Sequence, residues 1–154
     1  MEFPFTWFDV ELIGRIVISM VLGAIIGFER ELTHKPAGFR THIFISMGAC
    51  LFTIASLYFI PQNFDANIDS TRIAAGIVTG TAFIGAGSII ATRGDIKGIT
   101  TASSIWITGA IGLLLGLGSY LLPIVTTILT FIVLRFGKIA DKKFKNIDSN
   151  NKLK

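Results

Sequence analysis

Eight charged residues crowd two short polar stretches of an otherwise apolar chain, and any chemistry would start there. Glu29, Arg30, Glu31, Lys35 and Arg40 lie between residues 29 and 42, and Arg93, Asp95 and Lys97 lie between 92 and 98. Three of them, Glu29, Glu31 and Asp95, are a conceivable Mg²⁺ set, since Mg²⁺ takes one or two carboxylates and keeps several waters. Arg30, Arg40 and Arg93 compete for the same oxygens and weaken that reading. Two other readings stand beside it. The charges are solvated loop residues, or Glu29 or Glu31 pairs with Arg40 or Arg93 in a network at one mouth of a helix bundle. His34 and His42 stand eight residues apart across a Pro–Gly bend with no cysteine or third histidine near them, which argues against zinc. No nucleophile accompanies them for base catalysis. Cys50, the sole cysteine, sits among Ala49, Leu51 and Phe52 and reads as a small apolar filler. No cofactor and no enzymatic reaction are expected.

The second class of candidate is a pair of small-residue stripes. Residues 76–106 read as a hydrophobic hairpin, two apolar arms joined by ATRGDIKG. On the first arm Gly76, Gly80, Phe83 and Gly87 share a helix face. On the second, Thr100, Ser104, Thr108, Gly112 and Gly116 recur every four residues. Such stripes let backbones approach closely in a membrane. The expectation is that Gly80, Gly87, Gly112 and Gly116 lie where backbones nearly touch, with part of the Thr/Ser stripe facing a partner. A polar conduit is the third use of such a stripe. Ion pathways carry intramembrane carboxylates or unwound carbonyls, and residues 99–117 contain no carboxylate. Thr100 and Thr101 are placed to cap the helix that follows the charged turn.

The elements that must position these residues are membrane spans. The chain of 154 residues is 51% hydrophobic and 16% charged, with a mean hydropathy of +0.68. Five apolar blocks, at about 12–28, 43–60, 73–91, 99–117 and 120–136, approach the roughly 20 residues a bilayer requires. Arg15 falls inside the first block near its end, where a long side chain can snorkel to the interface. Gly23 and Gly27 form a GxxxG pair in the same block. Phe3, Phe5, Trp7 and Phe8 read as an interfacial aromatic belt. The start lacks the basic region of a secretory signal. Residues 29–42, 92–98 and 135–154 hold twelve Lys/Arg, against Arg72 alone in 1–11 and 61–72. By the positive-inside rule the amino terminus is external and the carboxy terminus cytoplasmic. The expected fold is therefore all-α: a bundle of five transmembrane helices over residues 1–136, then a basic tail, 137–154, with a frayed end. That tail suits anionic lipid. Without a folded reader it does not suit nucleic acid.

Five motifs in order resemble the membrane domain of the MgtC/SapB family of bacterial proteins. They are GxERE at Gly27–Glu31, KPAGxRTH at Lys35–His42, DxxRIAA at Asp69–Ala75, FxGAG at Phe83–Gly87 and RGxxKGxTTAxSxW at Arg93–Trp106. The similarity covers about residues 12–136. It implies a multi-pass protein of the cytoplasmic membrane whose relatives are associated with magnesium limitation, with survival inside host cells and with regulation of other membrane proteins. It adds Arg72, Gly85, Gly98 and Trp106 to the candidate interaction residues. The chain departs from the family pattern at Gly76, where Gln is common, at Ala82, where Gly is common, and at Thr100, where some members carry Asn. It also reads as a short member without the soluble carboxy-terminal domain of many relatives. The expected partners are the bilayer and another membrane protein or a second copy. An ion transporter is the competing class.

Overall fold

The longest of the membrane-length helices is the first, and side chains cap its start. In the computed structural model, which describes residues 6–59, 71–92 and 95–151, α1 spans Trp7–Leu32. Its start is a capping box: the Asp9 amide donates to Thr6 Oγ1 at 3.4 Å and the Thr6 amide donates to Asp9 Oδ2 at 2.8 Å. Its end is a Schellman turn. His34 takes the left-handed φ of 50°, its amide donates to the Glu31 carbonyl, and the Lys35 amide reaches back to the Arg30 carbonyl. His34 thus acts as a helix terminator.

After a six-residue turn, α2 (Phe39–Ile54) runs back alongside α1 and continues as a π-helical turn, Ala55–Phe59. Next come α3 (Thr71–Ala86), a small antiparallel hairpin of β1 (Ile90–Thr92) and β2 (Asp95–Lys97), α4 (Ile99–Gly116) and α5 (Leu121–Asn151). The hairpin register pairs Ile90 with Lys97, Ala91 with Ile96 and Thr92 with Asp95. The described residues are otherwise helical, as expected of an all-α chain, and the hairpin is a local departure. The third apolar block stops being helical at Ala86, and β-branched Ile89, Ile90 and Thr92 favour extended backbone. Gly98, at φ 96°, then turns the chain into α4. Another Schellman turn ends α4 at left-handed Gly118, with Ser119 N donating to Leu114 O and Gly118 N to Leu115 O. Helix α5 continues past Phe136 to Asn151, so the basic tail is helical as far as the described residues go.

Helix α4 touches each of the other four helices, and α2 is clasped between α1 and α4. Glycine permits that arrangement on both sides. A Cβ on Gly23 of α1 would sit 2.6 Å from the His42 carbonyl oxygen, and one on Gly112 of α4 would collide with the Ser46 carbonyl. The main apolar core draws Leu22 and Ile26 from α1, Cys50 and Ile54 from α2, Ile111 and Leu115 from α4, and Leu134 from α5. Cys50 is fully buried there. Helix α3 packs chiefly on α4, with Gly85 seated against Ala102 and Gly109 against Thr81.

Among the described residues, three helical stretches are long and apolar enough to cross a membrane: Trp7–Leu32, Phe39–Tyr58 and Ile99–Gly116. The apolar helices Thr71–Ala86 and Leu121–Gly137 are shorter.

Candidate functional site

Several of the polar side chains that the fold hides form one cluster where α1, α2 and α4 meet. Glu29 and Arg30 on the last turns of α1 are 2% and 1% exposed, and their charged groups lie 3.6 Å apart. Arg30 reaches across to α4, where its Nη2 donates to Thr101 Oγ1 at 3.0 Å. His42, on the first turn of α2, is fully buried. Its Nδ1 lies 2.9 Å from the Gly38 carbonyl and its Nε2 lies 3.1 Å from Ser104 Oγ. A carbonyl can only accept, so Nδ1 carries a proton. Ser104 Oγ also lies 2.8 Å from the Thr101 carbonyl, and Thr108 Oγ1 donates to the Ser104 carbonyl at 2.7 Å. Ser104 has a single hydroxyl proton. With a neutral imidazole it goes to Nε2. With an imidazolium, Nε2 donates to Ser104, which donates to Thr101.

Several candidate residues fall elsewhere than expected. Glu31 does not pair with Arg40. Its carboxylate accepts from the Phe39 amide at 3.0 Å and so caps the start of α2, a position favoured for negative charge. Glu29 is held by its chain neighbour Arg30, while Arg40 is exposed. Arg93 lies outside the described residues. Asp95 makes an exposed ion pair with Lys97 at 3.2 Å on the hairpin. The three carboxylates considered for Mg²⁺ therefore occupy three different settings. No group of three His, Cys, Asp or Glu suited to a metal exists among the described residues. Lys35 is exposed and contributes its backbone amide to the end of α1.

On the hairpin arms the small residues separate into packed and open sets. Gly112 and Gly116 press on α2, and Ser104 and Thr108 are buried beside it. Gly85 packs tightly, and a Cβ on Gly87 would approach only the carbonyls of Ile84 and Phe83, in the last turn of α3 just before it. Gly80 overturns the expectation of close contact: a Cβ there would meet nothing within 4 Å, because the Gly76–Gly80 edge of α3 faces an open groove. Thr100 is exposed, and neither its hydroxyl nor that of Thr101 caps α4, whose N-cap is Gly98. Trp106 is half exposed, and Arg72 stands exposed at the start of α3.

The position that sequence reasoning missed is Arg15. It does not snorkel: only 6% exposed, it donates to Glu11 at 2.6 Å, to Tyr58 Oη at 3.2 Å and to the Gly116 carbonyl at 3.0 Å. Its guanidinium lies 5.7 Å from the centre of the Tyr58 ring. An end carbonyl of α4 is thereby satisfied by a cation, the charge its dipole favours. The available signal was Glu11 four residues before Arg15, the spacing of a helical ion pair.

Membrane-length apolar helices clasped by glycines, with a paired and hydrogen-bonded polar interior, define a helical membrane protein. The chain belongs to the MgtC family, whose profile matches residues 16–143. It is 42% identical over 127 residues to the putative magnesium transporter YhiD of Escherichia coli K12, covering 80% of this chain and 59% of the relative. It is 38% identical over 120 residues to protein SapB of Bacillus subtilis (75% and 52% covered) and 36% identical over 115 residues to protein MgtC of Salmonella typhimurium LT2 (75% and 47% covered). The chain thus spans about half to three-fifths of the length of these relatives. No solved structure matches it.

Proposed function

We propose that this protein is a multi-pass component of the bacterial cytoplasmic membrane that docks on other membrane proteins, in the setting of magnesium limitation, and catalyses no reaction. The observation that carries this reading is the use made of the polar face of α4. Thr101, Ser104 and Thr108 are buried: the first two bond across to Arg30 of α1 and His42 of α2, and Thr108 spends its hydroxyl on the Ser104 carbonyl of its own helix. A conduit needs those groups turned toward water or a passing ion. The five-span topology, external amino terminus and cytoplasmic carboxy terminus belong to the same proposal, and the twelve-to-one charge asymmetry supports them. The docking partner is a different membrane protein or a second copy of this chain.

The competing reading is ion transport, favoured by the name of one relative, the putative magnesium transporter YhiD. One pair of measurements separates them. Purified protein in liposomes loaded with a Mg²⁺-sensitive dye should give flux no higher than empty liposomes. Crosslinking in native membranes at low magnesium should yield a stoichiometric partner. Saturable Mg²⁺ flux with no crosslinked partner would replace docking by transport.

A further inference from the structure

A groove of about 580 Å³ runs between α2 and α3, and its polarity changes from one end to the other. At one end stand Arg72 and Ser56, where α3 begins and α2 has passed into its π-helical turn. At the other end stand Phe44 and Ile84. Between them the walls are apolar, and the hydroxyl of Thr81 is already spent on the Ile77 carbonyl at 2.8 Å. The volume exists because the wall residues are small. A Cβ on Gly48, Gly76 or Gly80 would meet no atom within 4 Å. Among the described residues Arg72 is the only charged one of the lining, and it makes no ion pair with any of them.

Length decides what fits. From Arg72 to Ile84 the helix rises about 18 Å at 1.5 Å per residue. One leaflet contributes half of the roughly 30 Å hydrocarbon layer, about 15 Å. A partner helix crossing the membrane would need the full thickness, and the groove covers little more than half of it. A single lipid of the leaflet at the Arg72 end matches it: a cationic fork for the phosphate at the mouth, and an apolar channel for one chain below. Guanidinium binds phosphate oxygens in a bidentate manner.

We propose that the α2–α3 groove is a binding site for one anionic phospholipid, with its phosphate at Arg72 and one acyl chain lying along Gly48, Gly76 and Gly80. This site goes beyond the docking function proposed above and does not depend on it.

Native mass spectrometry of the full chain, purified in detergent and re-lipidated with phosphatidylglycerol or phosphatidylcholine, tests the site. The wild type should retain one tightly held lipid per chain and prefer phosphatidylglycerol about fivefold, the worth of one cation near anionic headgroups. Arg72→Gln should bring that preference to about one. Gly80→Leu fills the groove from α3 and should remove the tight adduct, and Gly48→Leu should do so independently from α2. Gly14→Leu, at another open position on α1 away from the groove, should leave it in place. Thermal melts of all four variants should stay near wild type. Tight lipid retained in both groove-filling variants, or a headgroup preference unchanged by Arg72→Gln, would overturn the proposal. So would a lipid-free wild-type dimer that Gly80→Leu dissociates, since a second copy would then occupy the groove.

Discussion

Alanine at Gly112 and alanine at Gly80 should shift stability in opposite directions, although both glycines sit on four-residue stripes of neighbouring helices. At Gly112 the new Cβ meets the backbone carbonyl of Ser46 well inside van der Waals contact and lies 3.0 Å from the Ala49 Cβ. A carbonyl of a packed helix cannot rotate aside, so α4 must move away from α2. Overpacking of this kind costs about 1–3 kcal/mol. The helix-propensity gain of alanine over glycine, about 1 kcal/mol in water, offsets part of it. The net expectation is a loss of about 0–2 kcal/mol, and leucine there should prevent folding. At Gly80 the same Cβ enters open space, so only the propensity gain remains and the protein should be stabilised by up to about 1 kcal/mol. Reversible unfolding in mixed micelles, followed by circular dichroism, measures both. Equal shifts, or a larger loss at Gly80 than at Gly112, would refute the assignment of α2, rather than α3, as the helix that Gly112 touches.

Arg15→Met should destabilise by about 1–3 kcal/mol, because the Gly116 carbonyl and Tyr58 hydroxyl lose a buried donor; Arg15→Lys should recover only part of that in the same melts, since lysine lacks the fork. Glu29→Gln and Arg30→Met should each cost about 3–5 kcal/mol by stranding a buried charge, and a double-mutant cycle should show the combined variant losing less than the sum. Additive losses would mean the pair does not interact. Reporter fusions should read cytoplasmic after Lys145 and external after Asn63, and the reverse pattern would invert the proposed topology.

Hydrophobic blocks were legible from residue types alone, whereas caps were not: Thr100 and Thr101 read as the cap of α4, and Gly98 holds that place. Helix α4 runs from Ile99 to Gly116 against an expected 99–117, because Gly98 and Gly118 mark its ends in the sequence as plainly as in space. The third block was not legible in the same way. Its apolar residues run on to Ala91, but composition could not separate the helical part ending at Ala86 from the strand that follows. Which glycines are packed was hidden for a different reason. A spacing of four places residues on one face but does not say which neighbour that face meets, so Gly80 and Gly112 looked equivalent. His42 and Arg15 are long-range cases. Their partners Ser104 and Gly116 lie 62 and 101 residues away, and only the folded chain brings them together.

Each of the two buried arginines of α1 carries its counter-charge on the same helix, with Glu11 one turn before Arg15 and Glu29 immediately before Arg30. That has a bearing on how the protein is made. An isolated arginine at the centre of a span opposes insertion by roughly 2.5–3.5 kcal/mol even on the most lenient scales. A helix that brings its own carboxylates is neutralised at both sites before any later segment has been synthesised. Thr101, the α4 residue that receives Arg30, emerges 71 residues later. The first helix is therefore built to enter the bilayer unaided and to wait there, its guanidinium groups already neutralised, for the helix that completes their hydrogen bonds.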